Sequence, residues 1–348
     1  MNDMYLESIP DRYQVLCKEY PSHSLCRVIL QEKGLYQISS TVGMHQARVS
    51  GKFQYEVNSV SDYPAVGDYV MADLRGADTA VIHTVLPRKS VFLRKAAGGG
   101  NTEQVVAANV DTVFLCMALN NDFNLRRLER YLSVAWNSGA TPVVLLTKAD
   151  LCNDLPEKLA RVESVAVGVD IITISAMESG GCQTITPYLI RGNTLAFVGS
   201  SGVGKSTLIN ILLGEDRQKT NGIRSDDKGR HTTTHRELIV LPGGVMVIDT
   251  PGMRELGMWD AGEGLSSAFA DIEALAEGCR FRDCTHQTEP GCAVRAALER
   301  GDLSEARLLS YRKLRAENSY FEDGESYLAA KEKKFKKIAR LNKTNQKK

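Results

Sequence analysis

Residues 194–214 read TLAFVGSSGVGKSTLINILLG, and within them Gly199, Ser200, Ser201, Gly202, Val203, Gly204, Lys205, Ser206 and Thr207 spell a phosphate-binding loop. The apolar run TLAFV predicts a strand and STLINILL a helix. The loop therefore sits at a helix N-terminus, where unpaired backbone N–H groups and the helix dipole attract anions. Its glycines let successive N–H groups turn inward on phosphate oxygens. Lys205 is placed to reach the β- and γ-phosphates, and the Ser206 hydroxyl to ligate Mg²⁺.

Working outward toward the C-terminus, the strand VMVIDTPG ends in Asp249-Thr-Pro-Gly252. An Asp at a strand tip is suited to the second Mg²⁺ contact, and Gly252 lets its own N–H approach the γ-phosphate. Between the loop and this strand lies the polar segment EDRQKTNGIRSDDKGRHTTTH. It can bury little, so it is expected to move. One of Thr232, Thr233 and Thr234, with Thr233 the first choice, closes over Mg²⁺ and the γ-phosphate. Met253 follows Gly252, where many GTPases carry a water-orienting Gln, so another group must position the water.

Toward the N-terminus, TPVVLLTKAD closes a strand with Thr147, Lys148, Ala149 and Asp150. The Asp150 carboxylate can accept two hydrogen bonds from guanine N1–H and its amino group, which adenine does not offer. The Lys148 stem can lie over the base. Ser175 and Ala176 end the following strand, where a backbone N–H can meet the guanine O6. Thr147 stands where most GTPases have Asn. The base motifs thus precede the phosphate loop, and the order is circularly permuted.

The flanks differ in kind. Residues 14–90 contain QVLCKEY, SLCRVILQ, GLYQISS, QARVSGKF, DYVMADL and AVIHTVL, short runs broken by Gly, Pro and Asp. We read them as five or six strands of an OB-type barrel, with an SH3-like barrel as the alternative. RKAAGGGNTEQ (94–104) reads as a linker. After it DTVFLCMAL is a strand, and FNLRRLERYLSVAWNSG a helix with Leu125, Leu128, Leu132 and Ala135 on one face and Gly139 at its end. ELIVLPGGVMVIDTPG gives two strands around a Gly-Gly turn, and beyond about residue 265 the chain becomes helical. The expected boundaries are 1–93 barrel, 103–258 nucleotide domain, 265–330 helical module and 331–348 basic tail.

The chain of 348 residues has a net charge of +1, 43% hydrophobic and 24% charged residues, the profile of a soluble globular protein. No apolar run approaches the roughly 20 residues of a membrane span, and the N-terminus has no signal pattern, so a cytoplasmic protein is expected. Lys331–Lys348 carry +8, leaving −7 on the other 330 residues. A basic tail on an acidic body suits a polyanionic partner such as nucleic acid. Of eight cysteines, Cys279, Cys284 and Cys292 crowd around His286. Three thiolates and an imidazole with no carboxylate describe a structural tetrahedral Zn²⁺ site, against the bland reading of free thiols or a redox pair.

TKAD, SA, GSSGVGKST, HTTT and DTPG are the motif sets of translation-factor-like GTPases in permuted order. With the barrel and the Cys/His cluster, the chain resembles the ribosome small-subunit-dependent GTPase A family of bacterial 30S-assembly factors. The resemblance implies a multi-domain fold: an N-terminal all-β OB-like barrel, a central α/β P-loop GTPase domain and a C-terminal α-helical zinc-binding module. It implies GTP hydrolysis in late 30S maturation, stimulated by the ribosome and driving release, with 16S rRNA and GTP/GDP as partners, one zinc, Mg²⁺ with GTP, and a monomer that touches no membrane. It also implies that His231 positions the water, with His235 as rival. The competing classes are a P-loop ATPase or kinase, which ATP competition would reveal, and a nucleic-acid-binding module using nucleotide as a structural ligand.

Overall fold

The computed structural model describes residues 5–6, 9, 11–32, 34–95, 103–178, 180–214, 236–249 and 262–322. The chain divides into two compact units, Met1–Gly257 and Met258–Lys348.

The first unit begins with helix α1 (Asp11–Cys17), where a strand was expected from QVLCKEY. Tyr13, Leu16, Cys17 and Tyr20 recur at helical spacing and join one cluster with Tyr69, Met71 and Leu86. The Tyr13 hydroxyl donates to the Asn109 side-chain oxygen at 2.8 Å. Five strands follow: β1 (Ser24–Glu32), β2 (Leu35–Ser40), β3 (Gly43–Val49), then β4 (Tyr69–Arg75) and β5 (Thr79–Val85) after helix α2 (Gly51–Glu56). They pair in the order 1-2-3-5-4, and a β1–β4 ladder closes the barrel, with β3 and β5 parallel. Cys26, Val28, Tyr36, Ile38, Val70 and Ile82 fill it. Helix α2 occupies the end of QARVSGKF that had been read as strand; Ser50 caps it by accepting from Phe53 N–H at 3.1 Å.

The two ends of the expected linker, Arg94–Lys95 and Glu103–Gln104, belong to a ribbon. Strands β6 (Val91–Lys95) and β7 (Glu103–Ala108) pair antiparallel, with Arg94 opposite Gln104. The α/β part then runs β8 (Thr112–Ala118), α3 (Leu125–Ser138), β9 (Thr141–Thr147), α4 (Leu155–Glu163), β10 (Asp170–Thr173), β11 (Thr194–Val198), α5 (Lys205–Leu213), β12 (Arg236–Val240) and β13 (Met246–Asp249). Helix α3 has the predicted extent and ends at Gly139, whose φ of 81° suits a left-handed cap. The strands lie in the order 10-9-8-11-13-12, parallel except for β12. Numbered from β11 and wrapped round to β8, that order becomes 6-5-4-1-3-2, so the permutation alters the connections and leaves one mainly parallel sheet.

The barrel joins this sheet edge to edge. Leu30 pairs with Glu237 and Gln31 with Arg236 across β1 and β12. Both faces of strand β1 are buried there, with Cys26 and Val28 in the barrel core and Arg27 reaching the starts of β11 and β13.

The second unit holds α6 (Gly262–Ala268), α7 (Ala270–Ala276), α8 (Ala293–Arg300) and α9 (Glu305–Glu322). Arg307, 6% exposed, forks onto Asp271 at 2.7 Å and lies over the Phe269 ring; Tyr311 donates to Glu273 at 2.8 Å. Among the described residues no helix is long and apolar enough to cross a membrane.

Candidate nucleotide and metal sites

Because β8, β9, β10, β11 and β13 are parallel neighbours, their C-terminal ends lie along one sheet edge. Ligands of open α/β sheets bind outside that edge. Residues 147–150, 175–176, 199–207 and Asp249 all fall on or just beyond these strand ends.

The loop geometry follows from its glycines. A Cβ on Gly199 would stand 2.5 Å from the Cys116 carbonyl of β8, so only glycine lets the chain leave β11 here. Gly204 caps α5 at φ 105°. Ser201 and Gly202 are exposed at the crest, while Val203 is buried beneath it. Lys205 Nζ donates to the carbonyls of Gly199 (2.5 Å) and Ser200 (2.6 Å), which keeps the ammonium over the loop. Cys116 below is inert as a nucleophile, since burial pushes its thiol up to about 12.

The base motif is tied to this loop. The buried Thr147 hydroxyl donates to the Val203 carbonyl at 2.6 Å, so the residue that replaces Asn still bridges the two motifs. Asp150 Oδ1 accepts from Ser175 Oγ at 2.7 Å, which joins TKAD to SA. Lys148 holds a left-handed backbone (φ 58°, ψ 43°) that turns the chain sharply at the strand tip. The Ser175 N–H donates to Gly181 O at 3.1 Å, and Ala176 N–H is the remaining backbone donor of the pair.

Asp122, just after β8, was missed by sequence reasoning. Its Oδ2 accepts from Ser200 Oγ at 2.5 Å, and its Oδ1 pairs with Arg127 at 2.9 Å. The available signal was its position after the strand beside β11. Ser206 and Thr207 begin α5 as expected. Strand β13 ends at Asp249. His231, Thr232, Thr233, Thr234, His235, Gly252 and Met253 lie outside the described residues, as does the tail from Lys331.

In the second unit, one ligand atom from each of Cys279, Cys284, His286 and Cys292 lies within 4.8 Å of the others. Cys279 Sγ is 3.8 Å from Cys292 Sγ, and His286 Nδ1 is 3.6 and 3.5 Å from these sulfurs. A tetrahedral zinc with Zn–S about 2.3 Å and Zn–N about 2.0–2.1 Å would set S···S near ~3.8 Å and S···N near ~3.6 Å. The donor set fits the metal. Burial and the Arg315 and Arg312 charges lower the His286 pKa, keeping the imidazole in its neutral, ligating form. Its backbone sits at φ 58°, in a loop gathered by Glu289, which accepts from the N–H groups of Thr285 (2.9 Å), Gln287 (2.8 Å) and Thr288 (3.0 Å). Cys292 also caps α8, its sulfur accepting from Arg295 N–H at 3.4 Å.

Comparison with known proteins agrees with this geometry. The family model described as RsgA GTPase matches residues 85–259. A "Small ribosomal subunit biogenesis GTPase RsgA 2" of Lactiplantibacillus plantarum is 54% identical over 297 residues, 85% of this chain and 84% of that protein. A protein of Opitutus terrae named "Small ribosomal subunit biogenesis GTPase RsgA" is 49% identical over 84% of this chain and 83% of its own length. Among solved structures, YjeQ from Thermotoga maritima superposes with a TM-score of 0.64 at 26% identity, covering 85% of this chain and 98% of that one. YloQ, described as a circularly permuted GTPase, gives 0.61 at 25% identity, with 87% and 96% covered.

Proposed function

This chain belongs to the RsgA GTPase family and is a GTP hydrolase, and we propose that it works on the small ribosomal subunit during late maturation. The ribosomal part of this reading is carried by the names of the relatives, and the nucleotide part is supported by the joining of TKAD to the phosphate loop through Thr147 and to SA through Asp150, on one sheet edge. Asp150 and Lys148 would select guanine, with Ala176 N–H toward O6. Lys205 and the amides of residues 199–207 would hold the β- and γ-phosphates. Ser206, Thr233 and Asp249 would hold Mg²⁺, which when bound neutralises charge on the phosphate oxygens. Cys279, Cys284, His286 and Cys292 would hold one structural Zn²⁺. His231 is the proposed water-positioning group, and Gly252 the γ-phosphate sensor.

In this reading the barrel (1–93) and the zinc module (265–330), with Arg280, Arg282, Arg295 and the basic tail (331–348), face 16S rRNA of a 30S subunit, and the GTPase domain (103–258) times release. A cytoplasmic monomer suits that role.

The test is GTP turnover by the full chain with and without 30S subunits. Stimulation of at least an order of magnitude is expected; equal rates would sink the ribosomal assignment while leaving the GTPase intact. His231→Ala should bind nucleotide normally and lose the stimulated rate. Full stimulated turnover in that variant would pass the role to His235 or another group.

A further inference from the structure

Arg27 is 1% exposed, yet among the described residues it meets no carboxylate. Its Nη2 donates to Thr194 Oγ1 at 2.6 Å and its Nη1 to Met246 Sδ at 3.0 Å, and its guanidinium lies 4.8 Å from the Tyr69 ring centroid. The Nε is buried without a hydrogen-bond partner. The nearby acids are already engaged. Asp68 is held by Arg88 at 2.8 Å; Asp111 pairs with Lys89 and accepts from Thr194 N–H at 2.8 Å. Three cations, Arg27, Arg88 and Lys89, thus share two carboxylates; Arg27 and Asp68 are buried and Asp68 also feels the Arg27 charge, whereas Lys89 and Asp111 keep about a quarter of their side chains exposed. A hydroxyl, a thioether and an aromatic face do not neutralise a buried guanidinium, whose desolvation is costly without a counter-charge.

Arg27 borders a cavity of about 90 Å³. Tyr13, Tyr69, Lys89, Asn109, Asn193 and the carboxylate Asp111, which is paired with Lys89, are among its other walls, so the lining is polar. The space exceeds the 10–15 Å³ or so that one water needs. Water would satisfy Nε–H and leave the surplus charge; a small anion does both.

We propose that this cavity binds one small monovalent anion of chloride size, held by Arg27 Nε–H where the barrel meets the starts of β11 and β13. Occupied, it locks three strands together: β1 through Arg27, β11 through Thr194 and β13 through Met246. A polyatomic sugar acid such as gluconate is too large to enter.

The test uses the full chain with GDP and Mg²⁺ saturating, so that the phosphate loop does not report. Melting is followed as chloride replaces gluconate at constant ionic strength. Because only the folded state binds, chloride a hundredfold above its dissociation constant should raise Tm by roughly 5–10 °C. Arg27→Met, which keeps the length and apolar stem, should lose that dependence. A chloride response undiminished in Arg27→Met, or no response in the parent protein, overturns the proposal. Should Arg27→Met fail to fold, bromide-soaked crystals of the parent protein decide. An anomalous peak within hydrogen-bonding distance of Arg27 Nε supports the site, and density explained by water alone overturns it.

Discussion

Thr147 shows how a single hydroxyl can bridge two motifs from the position where most GTPases carry an amide. Donating to Val203 O at 2.6 Å, it fixes the base-binding strand tip to the phosphate loop from a position 4% exposed. Thr147→Val keeps the volume and strands that carbonyl, a loss of about 1 kcal/mol. GDP affinity measured by calorimetry should fall by about fivefold with the fold intact; an unchanged affinity would mean the bridge contributes nothing to binding. His83 offers a second residue-scale test. Its pKa is lowered by burial and by His23, whose ring is 4.5 Å away, and Nε2 has no partner; Asp73 raises it, while Arg75 and Lys52 lower it further. Above its ordinary value near 6.5 the ring is neutral in folded and unfolded chains alike. As pH falls below that, the unfolded chain takes the proton first, so stability declines. His83→Gln should flatten the pH dependence of Tm between pH 7 and 5, as scanning calorimetry would record.

At the level of elements, the proposed zinc cluster and α8 form one device. Cys292 is both a member of the candidate metal-binding set and the cap of α8, and the short loops around Cys279 and Cys284 have little apolar surface of their own. Chelation should therefore unravel the cluster and fray α8, lowering helical circular dichroism and opening amides near 279–300 to exchange. Protection that survives complete metal removal would contradict this. Elements were legible in the sequence where one period dominated. Helix α3, the β11–loop–α5 unit and the β12–β13 hairpin lie where periodicity and Gly signals put them. Helix α1 was not read because QVLCKEY also contains an apolar run that fits a strand, and its partner Tyr69 lies far along the chain. The ribbon β6–β7 was hidden by the Gly-rich run between its strands, and strand pairing of that kind depends on what it packs against more than on local propensity. The site was legible to the extent that backbone motifs define it. Asp122, which acts through a side-chain hydrogen bond, belongs to no such motif.

Over the whole first unit, the β1–β12 seam makes barrel and sheet one hydrogen-bonded surface. β12, the strand that follows the proposed switch in sequence, is itself paired with the barrel. The two should unfold together: in denaturant, exchange protection of barrel strands and of β8–β11 should vanish at one midpoint. Separate midpoints would show the seam to be incidental.

The strand order also has a consequence for synthesis. A nascent chain completes β8, β9 and β10, and with them the proposed base-recognition half, before β11 has emerged. Until Thr194 appears, the edge of β8 that will receive β11 has no partner, and the barrel still awaits β12 for its own seam. Open edges of buried strands invite pairing with other chains. Permutation therefore fixes the order of assembly, guanine half first and phosphate half last. A chain stopped between β10 and β11 is expected to aggregate rather than persist as an inert fragment.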